Sequence, residues 1–152
     1  MISRKELKTY GALPPVFDDI ACSLSSAPKL PKPMVRETRK IIALARKFNT
    51  EVVRPYALEL DLKMQESPDF IPWDFVEQAN EWGFYTGWLP KIFGGKGWNM
   101  PSMSYFVEEI ATECLAMANL IGVHYLGIST LTSTGNVRLI NEICRHVVHG
   151  EK

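Results

Sequence analysis

The longest hydrophobic pattern in the chain runs from Val35 to about Met64 and has the period of an α-helix. Its apolar residues recur at spacings of three and four, which places them on one helix face. The stripe consists of Ile41, Leu44, Ala45, Phe48, Val52, Tyr56 and Leu60. Arg46 lies off the stripe and is expected to face solvent. Pro55 lies inside the pattern, and because proline lacks a backbone N–H, it predicts a kink or a break into two helices.

Two shorter helical patterns follow this stretch. Pro72 suits a first helical turn and Gly83 suits a C-terminal stop, so a helix is predicted between them. Its expected buried face consists of Trp73, Val76, Ala79 and Trp82. Another helix should open at Pro101 or Ser102. Its expected inner stripe is Met103, Val107, Ile110, Ala111 and Cys114, with Glu108, Glu109 and Glu113 on the outer side.

The C-terminal part of the chain predicts two more helices. Ala116 to Thr132 is nearly uncharged, which is typical of a helix buried on nearly all sides. Gly135-Asn136 then predicts the start of a last helix that ends near Gly150. The first 34 residues are rich in proline and predict an extended arm. The expected fold is therefore all-α: a bundle-like domain of about five to six helices over residues 35–152, preceded by an N-terminal arm over 1–34.

The loop from Leu89 to Asn99 divides these helices and contains Pro90, Gly94, Gly95 and Gly97. These residues predict a tight turn, which Phe93 and Trp98 are expected to pin to the helices on either side. A glycine-rich loop also suggests phosphate binding. That function needs a preceding strand and a helix that starts directly at the glycines, and neither is predicted here.

Composition narrows the class of protein. Seventeen basic and seventeen acidic residues cancel, so charge does not favour nucleic acid or an anionic membrane as a partner. No apolar run is expected to reach the roughly 18 to 20 residues of a membrane span. The three cysteines are odd in number and widely spaced, which is typical of reduced thiols and predicts a cytoplasmic protein.

Candidate catalytic and metal-binding residues are few. Glu108 and Glu109 are adjacent, and adjacent positions on a helix point about 100° apart, so they are not expected to share a proton. Cys144, His146 and His149 lie close together in the sequence. A zinc site would need further ligands from elsewhere, so no metal site is predicted. No catalytic residue is assigned.

The order of short motifs along the chain is more informative than any one of them. The motifs are Phe48-x-x-Glu51-x-x-x-Pro55-x-Ala57-x-x-x-Asp61, Ala79-x-Glu81-x-Gly83-Phe84, Pro90-x-x-Phe93-Gly94-Gly95-x-Gly97, Glu108-Glu109-Ile110-Ala111, Gly135-Asn136 and His149-Gly150-Glu151. Over about Arg36 to Lys152 this series resembles the N-terminal helical domain of acyl-CoA dehydrogenases.

The resemblance implies a flavoenzyme that desaturates an acyl-CoA between its α and β carbons. It implies FAD as cofactor, an electron-transferring flavoprotein as electron acceptor, and a homo-oligomer in the full-length enzyme. The flavin-binding β domain and the domain that usually holds the glutamate base would follow this chain. We therefore expect the chain alone to bind no FAD and to be inactive, and the cofactor-binding residues stay unknown.

Other interpretations remain open. Acyl-CoA oxidases and flavin monooxygenases resemble the same domain, and a free-standing helical module that binds a protein partner is a third possibility. The resemblance also implies that the acyl tail lies between the predicted helix from Ala116 to Thr132 and the C-terminal domain of the full-length enzyme. The substrate-facing residues would be Ala118, Asn119, Gly122, Val123 and Leu126. The alternative for these positions is that small residues simply allow close helix packing.

Overall fold

The long amphipathic pattern forms two helices joined by a π-helical turn. The structure is a computed structural model that describes residues 30–67 and 69–150, so most of the predicted arm lies outside the described residues. Helix α1 spans Lys32–Phe48, the π-helical turn Asn49–Val53, and α2 Arg54–Glu66. The remaining helices are α3 (Trp73–Glu81), α4 (Met100–Ala111), α5 (Leu115–Ser133) and α6 (Val137–His149), with a 3-10 turn at Lys91–Phe93. No described residue lies in a strand, which confirms the all-α prediction.

Pro55 breaks the helix as predicted, and the break takes the form of the π-helical turn. Pro55 lies in the first turn of α2, where its missing N–H costs no helical hydrogen bond. Just before it, the Arg54 N–H bonds the carbonyl of Asn49, five residues back rather than four. The apolar stripe continues across this turn, with Phe48, Val52 and Leu60 all buried. The proline therefore changes the hydrogen-bond register without interrupting the core.

Polar contacts join α1 to α4, which run parallel. The Thr38 and Ser102 hydroxyls lie 2.9 Å apart near the start of the two helices. Further along, Arg46 Nε donates to Glu109 Oε1 at 2.9 Å, and Asn49 Nδ2 donates to the Glu109 carbonyl oxygen at 2.7 Å. The expectation that Arg46 and Glu109 face solvent is wrong. Glu109 is buried, and a buried carboxylate is stable only with such partners.

Aromatic rings fill the centre of the core. Phe84 lies between Phe48 of α1 and Phe106 of α4, with ring centroids 4.8 and 4.7 Å away. On α3 the predicted buried face is partly wrong, because Trp73 is 49% exposed while Phe75 is fully buried. Trp73 is the first residue of α3, so it lies at the edge of the core where the chain enters the helix.

The glycine-rich loop is compact, as predicted. Three backbone hydrogen bonds of 2.9 Å fold the loop back on the segment before it. They run from the Lys96 N–H to the Thr86 carbonyl, from the Gly97 N–H to the Leu89 carbonyl and from the Trp98 N–H to the Gly87 carbonyl. Trp98 packs against Phe106 at 5.4 Å, and Phe93 packs on a small cluster with Leu89 and Ile140. These contacts confirm that the two aromatic residues pin the loop to helices on both sides. A Cβ at Gly95 would lie 2.1 Å from the Leu89 carbonyl oxygen, so this position requires glycine.

Helix α5 is less buried than its composition suggested. Ile121 and Tyr125 face the core, but Leu115, Val123 and Leu126 are more than half exposed. The prediction of burial on nearly all sides is therefore wrong. Among the described residues, α5 is a helix that is long enough and apolar enough to cross a membrane. This is contrary to our expectation that no apolar run would reach the length of a membrane span. Length and composition are weak evidence for a span, because core helices of soluble proteins meet the same criteria.

Side-chain caps fix the starts of the last helices. The Asn136 side chain accepts from the Leu139 N–H at 3.1 Å and begins α6, which ends at Gly150 as predicted. The Asn99 side chain accepts from the Ser102 N–H at 2.9 Å, so α4 begins slightly before the predicted Pro101. Each cap satisfies a backbone donor that the first turn leaves unpaired.

Two glycine substitutions test this packing. Gly95→Ala should lower the free energy of unfolding by about 2–4 kcal/mol, because the new Cβ overlaps backbone atoms of Leu89. Gly127→Ala should raise it by about 0.5–1 kcal/mol, because Gly127 is inside α5 and a Cβ there meets nothing within 4 Å. Urea unfolding followed by circular dichroism measures both. Equal midpoints for the two variants would contradict the loop packing described here.

Candidate functional site

An apolar groove lies between α4 and α5. Its volume is about 270 Å³. It is lined by Trp88, Met100, Met103, Ser104, Val107, Gly122, Tyr125, Leu126 and Ser129. None of these lining residues is charged, and most present hydrocarbon or aromatic surface. The groove is therefore suited to an apolar ligand or an apolar protein surface.

The floor of the groove is held rigidly. Tyr125 is almost fully buried, and its hydroxyl donates to the Phe84 carbonyl oxygen at 2.9 Å. Burial raises the pKa of Tyr125, so the phenol stays protonated and keeps this hydrogen bond. Met103 is also buried beside it. The polar end of the tyrosine is thus satisfied by the protein, and its ring is left to line the groove.

The rim of the groove is more open. Met100 is 63% exposed and Leu126 is 67% exposed, although both are large apolar side chains. Methionine is unbranched and fits irregular apolar shapes. The rim could therefore adjust to a ligand or to another protein surface while the floor stays fixed.

Gly122 forms an open point in the wall of the groove. A Cβ built at Gly122 meets nothing within 4 Å. Among the described residues, close helix packing therefore does not explain the glycine. Because Gly122 lines the groove, a side chain at this position would extend into the open space of the groove.

The predicted substrate-facing residues occupy different surroundings. Gly122 and Leu126 line the groove. Asn119 and Val123 are exposed on α5 outside the groove lining, and Ala118 is buried in the core. Contact of these five residues with substrate stays a prediction. The sequence analysis placed Met103 and Val107 on the inner stripe of α4 but assigned no α4 residue to the site. Met100 precedes Met103 by three positions, so it could have been added to that stripe.

The groove does not suit a dinucleotide. Its lining contains no lysine or arginine that could pair with a pyrophosphate.

The three residues considered as metal ligands in the sequence do not form a site. Cys144 is buried, while His146 and His149 are exposed. Over residues 30–67 and 69–150, no group of three or more His, Cys, Asp or Glu side chains could hold a metal ion.

A partly buried histidine lies on the other side of α5. His124 Nε2 is 3.0 Å from the Tyr85 carbonyl oxygen, and its ring packs edge-on against the Tyr85 ring at 4.7 Å. A carbonyl can only accept, so Nε2 carries the proton. Burial lowers the pKa of His124 and raises the pKa of Tyr85 to about 12. Both side chains are therefore neutral near pH 7.

Comparison with known proteins identifies the class to which this helical domain belongs. A model of the family described as acyl-CoA dehydrogenase, N-terminal domain, matches residues 36–151. The chain belongs to this family, as the series of motifs indicated. No solved structure gave a significant match.

Two curated relatives show how the family varies. The chain is 32% identical to a probable medium-chain specific acyl-CoA dehydrogenase 2, mitochondrial, of Caenorhabditis briggsae, over 67% of this chain and 24% of the relative. It is 30% identical to a 3-sulfinopropanoyl-CoA desulfinase of Advenella mimigardefordensis, over 76% of this chain and 28% of the relative. The chain thus spans about a quarter of the length of these relatives.

The partly buried His124 predicts that the stability of the domain depends on pH. In the unfolded chain His124 binds a proton below about pH 6.5, whereas in the folded chain its pKa is lower. The unfolded state therefore binds more protons as the pH falls, and the free energy of unfolding should decrease between pH 7.5 and pH 5.5. His124→Gln should show a smaller decrease, measured by urea unfolding at each pH.

The exposed His149 provides the control for this measurement. His149→Gln should retain the wild-type pH dependence between pH 7.5 and pH 5.5. Glu113, whose pKa is lowered chiefly by its hydrogen bond with Arg54, titrates below this window. An unchanged pH dependence in His124→Gln would show that His124 is not held neutral in the fold.

Proposed function

We propose that this chain is the N-terminal domain of an FAD-dependent acyl-CoA dehydrogenase and that its α4–α5 groove forms part of the acyl pocket. Family membership supports the parent activity, and the uncharged groove is the single structural observation that supports the pocket. The domain would contribute binding surface rather than catalytic groups. FAD, held by parts of the enzyme outside this chain, would accept the hydride from the β carbon.

The groove favours an acyl tail for a simple energetic reason. Each CH₂ group moved from water to apolar surroundings contributes on the order of 0.8 kcal/mol. Trp88, Met103 and Val107 offer such surroundings, and the Tyr125 hydroxyl is already bonded to Phe84. A tail in the groove therefore displaces water without leaving the Tyr125 hydroxyl unpaired.

The desulfinase relative supplies a second candidate function. Its name gives 3-sulfinopropanoyl-CoA as its substrate, so the same type of domain occurs in an enzyme of different chemistry. A sulfinate is anionic, and an anion in an apolar site needs a cationic or hydrogen-bonding partner. The groove lining has no cationic side chain, so it favours an apolar acyl chain over a sulfinate.

The full-length enzyme would bind a substrate and interact with other proteins. We propose acyl-CoA as its substrate, an electron-transferring flavoprotein as its electron acceptor and a homo-oligomeric assembly. Family membership supports all three at the level of the full-length enzyme. The exposed apolar residues of α5, such as Leu115 and Val123, also fit a surface covered by another domain or subunit.

Gly122→Leu in the full-length enzyme tests the pocket. The leucine adds four carbons at the open point of the groove wall and so prevents the burial of about three to four methylenes. Activity on long acyl-CoA substrates should fall by up to about a hundredfold in kcat/KM, whereas activity on short substrates should be nearly unchanged. A series of acyl-CoA substrates of increasing length provides the measurement.

Gly127→Leu is the matched control. Gly127 also lies inside α5 with nothing within 4 Å of its Cβ, but it does not line the groove. The control should keep the wild-type dependence on chain length. If Gly122→Leu reduced kcat/KM equally for all chain lengths, the pocket assignment would be wrong.

A further inference from the structure

A second pocket lies between α3, α5 and α6, on the side of α5 away from the groove. Its volume is about 360 Å³, within the range of small-molecule sites. Helix α5 lines it with Leu120 and His124, whereas Gly122 and Leu126 line the groove. Positions two apart on a helix point about 200° apart, so one helix can serve two separate sites.

The walls of this pocket are largely apolar. Val76 of α3, Leu120 of α5 and Val147 of α6 contribute aliphatic surface from three different helices. Tyr85, in the segment after α3, contributes an aromatic ring. A ligand here could bury an apolar body on several sides.

The Tyr85 hydroxyl is a polar group that the fold itself leaves unpaired. Tyr85 is only 8% exposed, yet within residues 30–67 and 69–150 its hydroxyl makes no hydrogen bond. A buried tyrosine hydroxyl normally has a partner, as that of Tyr125 does. Burial raises the pKa of Tyr85 to about 12, so the hydroxyl keeps its proton at neutral pH. Because Tyr85 lines the pocket, a ligand there could accept this missing hydrogen bond.

His124 supplies an acceptor to the same pocket. Its Nε2–H donates to the Tyr85 carbonyl oxygen, so Nδ1 of the neutral ring can only accept. Over the described part of the chain, no donor bonds this Nδ1. The His124 and Tyr85 rings pack against each other at 4.7 Å, which fixes their relative orientation. Two adjacent rings therefore offer one free donor and one free acceptor.

The charge of the lining favours a neutral ligand. No lysine or arginine among the described residues lines the pocket, so an anion would enter without a basic partner. Glu77 lines it, but this carboxylate already interacts with another group of the protein and is not free to pair with a cation. A neutral molecule with both a donor and an acceptor meets neither difficulty.

We propose that this pocket binds a small neutral primary carboxamide with an apolar body. The carboxamide oxygen accepts from the Tyr85 hydroxyl, and its NH₂ group donates to His124 Nδ1. The apolar body packs on Val76, Leu120 and Val147. This site is separate from the acyl groove and does not depend on the proposed function.

Benzamide is a suitable probe for the chain of residues 1–152. Titration followed by ¹H–¹³C NMR should give saturable shifts for the methyl groups of Val76, Leu120 and Val147. Methyl benzoate has the same ring and a carbonyl oxygen but no N–H donor, so it should bind several-fold more weakly. Benzoate is an anion without a donor, and it should give no saturable shifts.

Tyr85→Phe removes the hydroxyl and keeps the ring. The variant should bind benzamide about threefold to tenfold more weakly, the size expected for the loss of one neutral hydrogen bond. Its free energy of unfolding should not fall, because the hydroxyl has no partner in the described part of the chain to lose. Urea unfolding therefore separates a loss of binding from a loss of structure.

Tyr56→Phe is the matched control. The Tyr56 hydroxyl of α2 is also buried without a hydrogen-bond partner among the described residues, but Tyr56 does not line the pocket. This variant should bind benzamide as tightly as the wild type.

The proposal is wrong if benzamide gives no saturable shifts at the three methyl-bearing residues. It is also wrong if methyl benzoate or benzoate binds as tightly as benzamide, because the donor and the neutral charge would then not matter. An affinity for benzamide that is the same in Tyr85→Phe and Tyr56→Phe would overturn it as well.

Discussion

The position of α5 depends on the hydrogen bond from the Tyr125 hydroxyl to the Phe84 carbonyl oxygen. This bond is 2.9 Å long and buried, and Phe84 itself packs against Phe48 of α1 and Phe106 of α4. A buried hydrogen bond contributes only about 1 kcal/mol net, but leaving its donor or acceptor unpaired costs about 1–3 kcal/mol. Phe84 therefore couples three helices, and the groove is the space left between α4 and α5 on the outer side of Tyr125.

The contacts between α1 and α4 complete this arrangement from the opposite side of α4. Glu109 lies in a buried position and is held by Arg46 and Asn49 at the point where α1 passes into its π-helical turn. Because a buried carboxylate is costly without partners, this group favours one register of α4 against α1. That register places Met100 and Met103 beside α5, where they form the α4 wall of the groove.

Much of the fold could be predicted because the helical stripes have a strong period. The break at Pro55 and the end of α6 at Gly150 follow from local backbone chemistry, so the sequence indicates them directly. The burial of Glu109 could not be predicted, because its partners lie about 60 residues away in the chain. The exposure of α5 was missed for a related reason: an uncharged helix predicts apolar surroundings but does not show which element covers each face.

The site was predictable only in part. The resemblance pointed to Gly122 and Leu126, which do line the groove, and also to Ala118, which lies in the core. The α4 wall depends on how two helices pack, and helical periodicity alone does not fix that packing. The open space at Gly122 required coordinates, because a glycine in a helix has the same sequence signal whether it packs closely or faces a cavity.

Photoaffinity labelling would test the acyl pocket most directly. An acyl-CoA with a diazirine near the end of its acyl chain would be irradiated with the full-length enzyme, and the labelled residues would be identified by mass spectrometry. Our account predicts labels on groove residues such as Met100, Met103 and Leu126, and their loss in the presence of excess unlabelled acyl-CoA. Competable labelling confined to a distant element such as α2, with none on α4 or α5, would contradict it.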